Sequence, residues 1–146
     1  MKISTKGRYG VRATLELSFR YGSGPVMVRE ISESQEISER YLEHILNTLR
    51  TSGFVMSTRG AKGGYELARN PSEITLGDII RSLEGPLDVV SCTGDYNCER
   101  VTECATFYVW KEIKEGIEKV LNSITLKELA ERQCKLVNRG LIEYNI

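Results

Sequence analysis

The sequence predicts a mainly α-helical protein with one small β-hairpin, arranged as a winged helix-turn-helix followed by a long C-terminal helix. Three observations predict this fold: a capped helix with one apolar stripe, a glycine-rich turn between two β-rich runs, and an apolar repeat beyond residue 105. A chain of 146 residues suits one core with an appended element. We expect a winged helix-turn-helix over 1–85, a cysteine segment over 86–106, and a dimerisation helix with a C-terminal tail over 107–146.

Three helices are predicted in the first part of the chain. The first runs from about Thr5 or Lys6 to Tyr21 and is stopped by the turn residues 22–25. A short second helix covers Val28–Ser34, and Ser38 then caps a third because its hydroxyl can accept from an orphan amide of the first turn. The apolar residues of the third helix fall at i, i+3, i+4 and i+7, which indicates one buried face: Leu42, Ile45, Leu46 and Leu49.

Two short β-rich runs follow, at 54–58 and 65–68, around a turn that contains three glycines. They predict a hairpin, and three helices followed by a hairpin is the order of a winged helix-turn-helix. Thr75 and Asp78 can cap a further short helix reciprocally, and Gly85–Pro86 ends it.

The last part of the chain carries an apolar repeat with steps of three and four residues, which is typical of a helix that pairs with a partner subunit. Thr125–Glu128 is a second capping box and marks a new helix start, whereas the residues after Arg132 show no period. The repeat consists of Trp110, Ile113, Ile117, Val120 and Ile124.

Charge is distributed unevenly along the chain, although the formal net charge is zero. Residues 1–70 hold eleven Lys and Arg against seven Asp and Glu, a net of +4, and residues 71–146 hold nine against thirteen, a net of −4. This asymmetry indicates a basic binding module joined to an acidic one. No stretch approaches the roughly 18–20 apolar residues of a membrane span, and the N-terminus lacks the apolar run of a signal peptide. We therefore expect a cytoplasmic protein without a membrane partner.

The basic module predicts binding to double-stranded DNA. In a helix-turn-helix the N-terminal residues of the second helix of the motif lie nearest the base edges. An arginine on a slim hairpin suits the narrow minor groove, and basic residues at the start of the first helix can hold phosphate. The predicted DNA-binding residues are Ser38, Glu39, Arg40, Tyr41 and Glu43 on the third helix, Arg59 and Lys62 on the hairpin, and Lys6 and Arg8 near the N-terminus.

Cys92, Cys98 and Cys104 have five residues between neighbours. Zinc sites usually pair cysteines two to four residues apart, and disulfides are rare in a reducing compartment. Three thiolates in one polar segment can instead bind an iron–sulfur cluster, which normally takes four ligands. Three incidental thiols are the simpler alternative, and Cys134 is expected to be a small buried residue.

These features together resemble the iron–sulfur cluster regulator family of the IscR type. The resemblance rests on residues 1–9, Tyr41–Glu43, the turn 59–65 and the three cysteines, and it extends to about residue 130. It implies a homodimeric winged-helix transcriptional regulator, expected to be a repressor at a near-palindromic promoter site. It also implies that Cys92, Cys98 and Cys104 are three ligands of a 2Fe–2S cluster whose state selects the promoters that are bound.

The chain departs from the family at the fourth ligand, because the family's histidine three residues after the last cysteine is here Phe107. In a related nitric-oxide-sensing branch of the family, the fourth ligand is an acidic residue in the first helix of the partner subunit. This chain has Arg8 at that position, and arginine cannot replace it as a ligand. The open candidates for the fourth ligand are Cys134, an oxygen donor from Glu103, Asn97 or Tyr108, and an external thiol or water.

Other functions remain as alternatives. A cluster-carrying electron-transfer or scaffold protein would need neither the arginine hairpin nor the uneven charge. A branch of cysteine-metabolism regulators keeps the wing and lacks the cysteine loop. An enzyme is not expected, because the sequence offers no nucleophile–base pair and no pair of acids.

Overall fold

A computed structural model describes residues 2–94 and 98–144, and within them it contains six α-helices and one two-stranded antiparallel sheet. Three helices precede the hairpin and three follow it, so the predicted winged helix-turn-helix is confirmed. Short 3₁₀ turns lie at Pro71–Glu73, Ser91–Thr93 and Val101–Glu103. The elements are α1 (Thr5–Phe19), α2 (Val28–Gln35), α3 (Glu39–Thr51), β1 (Val55–Thr58), β2 (Gly64–Leu67), α4 (Leu76–Glu84), α5 (Ala105–Ser123) and α6 (Leu126–Tyr144).

The main core lies between α1, α3, α4 and the hairpin. The apolar stripe predicted on α3 is fully buried there, and Leu17 and Ile79 meet it from α1 and α4. Burial of one such side chain contributes about 1.5–3 kcal/mol to folding, so the stripe fixes how α3 sits on the rest of the molecule. The four residues of the stripe are Leu42, Ile45, Leu46 and Leu49.

The helix starts follow the capping residues that the sequence indicates. Ser38 caps α3, where its Oγ accepts from the amide of Tyr41 at 3.4 Å. At α4, Thr75 Oγ1 accepts from the Asp78 amide at 3.1 Å, and the Asp78 carboxylate accepts from the Thr75 amide at 2.9 Å. Both caps satisfy amides that the first turn of a helix leaves without a partner.

Helices α1 and α4 approach closely because α1 has glycines on the facing side. A Cβ at Gly10 would lie 2.1 Å from Leu83 Cδ1, and a Cβ at Gly7 would lie 2.0 Å from Glu84 Oε1. Glu84 uses that proximity to accept from both the amide and the hydroxyl of Ser4, each at 2.8 Å. The end of α4 is therefore tied to the start of α1.

The wing, which we define as residues 55–67, is fastened to the segment before α2. Its strands pair from Val55 with Leu67 to Thr58 with Gly64. Val26 and Tyr65 exchange two backbone hydrogen bonds of 2.8 Å, so β2 also pairs with a residue outside the hairpin. A two-stranded hairpin alone is marginally stable, and this third partner positions it.

The corner between α5 and α6 is built into the main core. The Leu76 amide donates to the carbonyl of Ile124 at 2.8 Å, and the Leu126 amide donates to the carbonyl of Ile74 at 2.9 Å. The predicted apolar repeat of Trp110, Ile113, Ile117, Val120 and Ile124 lies along α5, and we call it the α5 seam. Its last member, Ile124, thus lies just beyond α5, which ends at Ser123. Leu126 is fully buried in the same cluster as the α3 stripe.

Helix α6 continues to Tyr144, although the sequence after Arg132 shows no period. Residues 131–139 are all exposed, so this part of the helix has no buried face. An apolar repeat arises only where one face of a helix is buried. None of the helices in the described residues has the length and apolar character needed to cross a membrane.

Candidate nucleic-acid interface and cysteine segment

The start of α3 presents polar side chains to solvent. Glu39, Arg40 and Glu43 are exposed, and Ser38 is exposed beside them although its hydroxyl also caps the helix. Tyr41 differs, because its half-buried ring packs against the core and meets the Tyr9 ring edge-to-face at 5.9 Å. Of the predicted contacts on α3, Tyr41 is thus the one that also holds α3 against α1.

The contact between Tyr9 and Tyr41 brings the start of α1 next to the start of α3. Arg8 is exposed in the first turn of α1, and its Nη2 donates to Thr5 Oγ1 at 3.2 Å. Lys6 lies two residues earlier in the same turn and is half-buried. Arg8 and Lys6 therefore precede Tyr9, the α1 residue whose ring contacts the start of α3, by one and three residues.

Arg59 and Lys62 are exposed on the turn of the wing. The turn is tight: the Gly63 amide donates to the Gly60 carbonyl at 3.0 Å, and a Cβ at Gly63 would lie 2.2 Å from the Thr58 carbonyl oxygen. Gly64 has a φ of +155°, and a Cβ there would lie 2.2 Å from the Val26 carbonyl oxygen. Small residues are required here because the backbone passes close to itself.

A groove of about 430 Å³ runs between the wing, the start of α2 and the end of α3. Arg59 lines it together with Arg29 and Arg50, which the sequence analysis did not identify. Arg50 occupies the last turn of α3, and its Nη1 donates to Ser57 Oγ on β1 at 3.0 Å. The sequence does not indicate this role of Arg50, because Ser57 and Arg50 come together only when the hairpin folds against α3.

The cysteine segment connects α4 to α5. Cys92 lies in the 3₁₀ turn at Ser91–Thr93, the Cys98 carbonyl accepts from the Val101 amide at 3.2 Å, and Cys104 is the N-cap residue of α5. All three thiols are free and partly exposed. In the part of the chain that the structure describes, no group of three or more His, Cys, Asp or Glu side chains is arranged to hold a metal ion.

The thiol of Cys104 lies beside polar groups in the first turn of α5. Its Sγ lies 3.2 Å from Thr106 Oγ1. The Thr106 hydroxyl, the Phe107 amide and the charge of Arg100 lower the pKa of the Cys104 thiol below its ordinary value. A lower pKa favours the thiolate, which is the form that binds metals.

Lys114 fastens the first part of the cysteine segment to α5. Its Nζ donates to Asp88 Oδ1 at 2.6 Å and to the Thr93 carbonyl at 2.8 Å, and both side chains of the ion pair are largely shielded from solvent. Cys92 then faces a cavity of about 260 Å³ that Phe107 also lines. Position 107 therefore lies on the side of α5 that faces one of the predicted ligands.

The other candidates for a fourth ligand have different locations. Cys134 is exposed on α6, in contrast to the small buried residue that we expected, and it lines a groove with the end of α1 and Pro71. Among the described residues, no member of the cysteine segment lines that groove. Glu103 and Tyr108 are exposed on either side of Cys104, and Asn97 lies outside the described residues.

The donor chemistry fits an iron–sulfur cluster with three protein ligands. Three free thiols in one partly exposed segment, one of them with a lowered pKa, are the soft donors that such iron prefers. Within residues 2–94 and 98–144 the arrangement does not bring three such donors together.

Comparisons with known proteins give one consistent family. A profile of the Rrf2 family, described as "Iron-dependent Transcriptional regulator", matches residues 3–132. The regulator CymR of Bacillus subtilis is 45% identical over 130 residues, covering 89% of this chain and 90% of the relative. The regulator IscR of Serratia proteamaculans is 40% identical over 137 residues, covering 94% and 84%.

Solved structures agree. One titled "The Structure of CymR (YrzC) the Global Cysteine Regulator of B. subtilis" matches with a TM-score of 0.76 and 42% identity over 90% of this chain and 98% of that one. "T. potens IscR" matches with a TM-score of 0.74 and 44% identity over 91% and 88%. The relatives are transcriptional regulators and not enzymes. This chain, with its winged helix-turn-helix and basic N-terminal half, therefore belongs to the Rrf2 family of DNA-binding transcriptional regulators.

Proposed function

We propose that this regulator is a homodimer that binds a near-palindromic DNA site in the cytoplasm and responds to iron–sulfur or redox status through Cys92, Cys98 and Cys104. The observation that carries the proposal is the location of three free, partly exposed thiols in one segment between the winged-helix half and α5. Relatives named IscR are 39–40% identical to the chain over the 133–137 aligned residues, which supports the same interpretation.

For DNA, we propose that α3 lies in the major groove and the wing in the adjacent minor groove. The exposed Arg40 can donate two hydrogen bonds to guanine, and Glu43 can accept from a cytosine amine. Arg59 on the slim wing suits the negative potential of a narrow minor groove. Lys6 and Arg8, in the same first turns of α1 as the Tyr9 ring that contacts α3, would hold backbone phosphate and fix the register of the helix.

For assembly, we propose that a second copy covers α5. Apolar side chains on this helix are exposed in one chain, with Trp110 36%, Ile113 40% and Val120 58% accessible. A contiguous apolar face of this kind is costly in water and typically marks an interface. A two-fold dimer would present two α3 helices to half-sites about one helical turn apart.

For sensing, Cys92, Cys98 and Cys104 would hold a 2Fe–2S cluster. A bound cluster would connect the three thiolates, and it would be present only when iron is available and oxidants are low. The residues on both sides of the segment can carry its state to the DNA interface. Lys114 fixes the segment to the dimer helix α5, and Glu84, just before the segment, holds the start of α1 through Ser4. A shift of the segment therefore acts on the two elements that set the placement of the DNA-binding residues.

The fourth ligand is proposed to be an oxygen donor or an external thiol. Phe107 cannot donate to iron, and Cys134 lines a groove with the end of α1, to which no described residue of the cysteine segment contributes. A weak fourth ligand would make the cluster easy to lose, which suits a sensor.

The direct test is the absorption spectrum of protein purified without oxygen, with counts of iron and sulfide per chain. We expect a visible chromophore with equal amounts of iron and sulfide. Protein that cannot be loaded with iron and sulfide would contradict the sensing proposal and leave the DNA-binding assignment unaffected.

A cluster-free regulator that responds to cysteine metabolism is a second candidate. It is favoured by the 45% identity to CymR, whose structure is titled a global cysteine regulator. The two candidates differ in one measurement: replacement of all three cysteines by alanine would abolish regulation of DNA binding in the first case and preserve it in the second.

A further inference from the structure

The groove between the wing and the end of α3 carries a concentration of positive charge. Arg29, Arg50 and Arg59 line it, and the remaining lining residues among those that the structure describes include no carboxylate. Guanidinium groups stay protonated in proteins, so three full charges meet at one groove.

Two of these charges are not neutralised nearby. Arg29 is partly compensated, because its Nε lies 2.8 Å from Glu33 Oε1 on the same helix. Within residues 2–94 and 98–144, neither Arg50 nor Arg59 forms a salt bridge. The groove therefore suits an anion that comes from outside the chain.

Arg50 is held in place at the groove. Its Nη1 donates to Ser57 Oγ at 3.0 Å, Ser57 pairs with Tyr65 across the hairpin, and Tyr65 is bonded to Val26. One of the five N–H donors of the guanidinium is used in this way, which leaves donors for a ligand. Orienting the group in advance lowers the entropy lost when a ligand binds.

We infer that this groove binds a phosphate of the DNA backbone, with Arg50 as the phosphate-binding residue that also sets the distance between α3 and the wing. The inference rests on the proposed docking of α3 and the wing and adds a contact to it. A sugar–phosphate strand separates the major groove from the minor groove of a duplex. If α3 occupies one groove and Arg59 the other, that strand must pass between them, where the arginine groove lies. A guanidinium fork matches the oxygens of such a phosphate.

The test is the salt dependence of binding to a fluorescently labelled duplex of mixed sequence, measured by anisotropy. Each phosphate contact contributes about 0.9 to the slope of log affinity against log salt concentration. We expect Arg50→Ala to lower the slope by about that amount for each protomer bound. The loss of affinity should be similar on unrelated sequences, because a phosphate contact does not read bases.

Two further variants separate the charge from the positioning. Arg50→Lys keeps the charge and should retain the slope while binding less tightly, since a lysine cannot donate a fork. Ser57→Ala removes the hydrogen bond and keeps the guanidinium, so the slope should again be retained. Arg69→Ala is the matched control, because Arg69 lies over the Phe54 ring at 4.8 Å and does not line the groove.

A thermal melt of each variant is the control that it is folded. An unchanged slope for Arg50→Ala, together with a lowered slope for Arg59→Ala, would overturn the role of Arg50 and keep the proposed docking. Unchanged slopes for both variants would overturn the docking as well.

Discussion

Arg59 is the side chain through which the wing is proposed to reach DNA. It is exposed on the turn of the wing, and the hydrogen bond from the Gly63 amide to the Gly60 carbonyl holds the backbone of that turn. We expect Arg59→Ala to weaken binding to the cognate site by about 1–3 kcal/mol through the lost groove contact. The measurement is an affinity at one fixed salt concentration.

Arg40→Ala serves as the comparison, since it should relax the preference at particular base pairs. Equal affinity of the wild type and Arg59→Ala would remove the wing from the DNA interface.

The thiols differ in location, and this difference predicts different effects of their removal. Cys92, Cys98 and Cys104 share the cysteine segment, and Cys134 lies on α6, in the groove that it lines with the end of α1. We expect alanine at any of the first three to abolish the cluster, measured as loss of the visible absorption in protein loaded without oxygen. Phe107→His should slow the loss of the cluster in air, because position 107 lines the cavity that Cys92 faces.

Cys134→Ala is the matched control for the three cysteine variants, and its spectrum should equal that of the wild type. Loss of the chromophore in Cys134→Ala would instead make Cys134 the fourth ligand. A complete cluster in Cys98→Ala would contradict the proposed ligand set.

At the scale of single elements, the wing depends on glycine. Gly64 combines a φ of +155° with a Cβ position 2.2 Å from the Val26 carbonyl oxygen, at the point where the hairpin is fastened to the segment before α2. We expect Gly64→Ala to destabilise the protein by about 1–3 kcal/mol, the range of a strained backbone position, and to weaken DNA binding. A chemical denaturation curve measures the first effect.

Gly60→Ala isolates the part that is due to strain alone, since Gly60 has a φ of +109° and no atom within 4 Å of its Cβ position. If both variants lose equal stability, close approach to Val26 does not constrain the wing.

The α5 seam contains positions with two kinds of surroundings. Ile117 is half-buried and packs against the cluster of Ile80, Leu87 and Leu121, so a charge there would also disturb the single chain. Val120 is 58% exposed and makes the better test. We expect Val120→Glu to shift the protein from dimer to monomer at micromolar concentration in analytical ultracentrifugation, because an unpaired charge would be buried in the interface.

Lys119→Glu is the control for Val120→Glu, since it changes the charge of an exposed neighbour outside the seam. A wild-type protein that sediments as a monomer would rule out the seam as a dimer interface.

Periodicity predicts the elements that bury one face and fails where none is buried. The stripe on α3 and the caps at Ser38 and Thr75 carry strong local signals, and the structure confirms them. The last part of α6 is exposed throughout residues 131–139, so its sequence has no pattern to read. The sequence carries no local signal for the role of Arg50, because its partner Ser57 lies on another element.

At the scale of the whole molecule, Lys114 joins the cysteine segment to the proposed dimer helix. Its bonds to Asp88 and the Thr93 carbonyl, at 2.6 and 2.8 Å, are among the contacts through which a shift of the segment would reach α5 in the proposed mechanism. We expect Lys114→Met to leave the DNA affinity of the cluster-free protein unchanged and to reduce the difference in affinity between loaded and cluster-free protein. The measurement is one titration for each form on the same duplex.

Lys119→Met removes a charge from the exposed side of α5 and should leave that difference intact. A full response to loading in Lys114→Met would show that the coupling takes another route.

The burial of Leu126 has a consequence for how the chain is synthesised. Residues 1–85 contain α1–α4 and the wing, but their core also includes the side chain of Leu126, forty-one positions further along the chain. Proteins emerge from the ribosome with the N-terminus first, and domains generally fold as units. The DNA-binding half therefore completes its core only after the cysteine segment and α5 have been made. A truncated product of interrupted translation, which would bear the proposed DNA-binding residues without the proposed sensor, lacks the Leu126 side chain that completes its core.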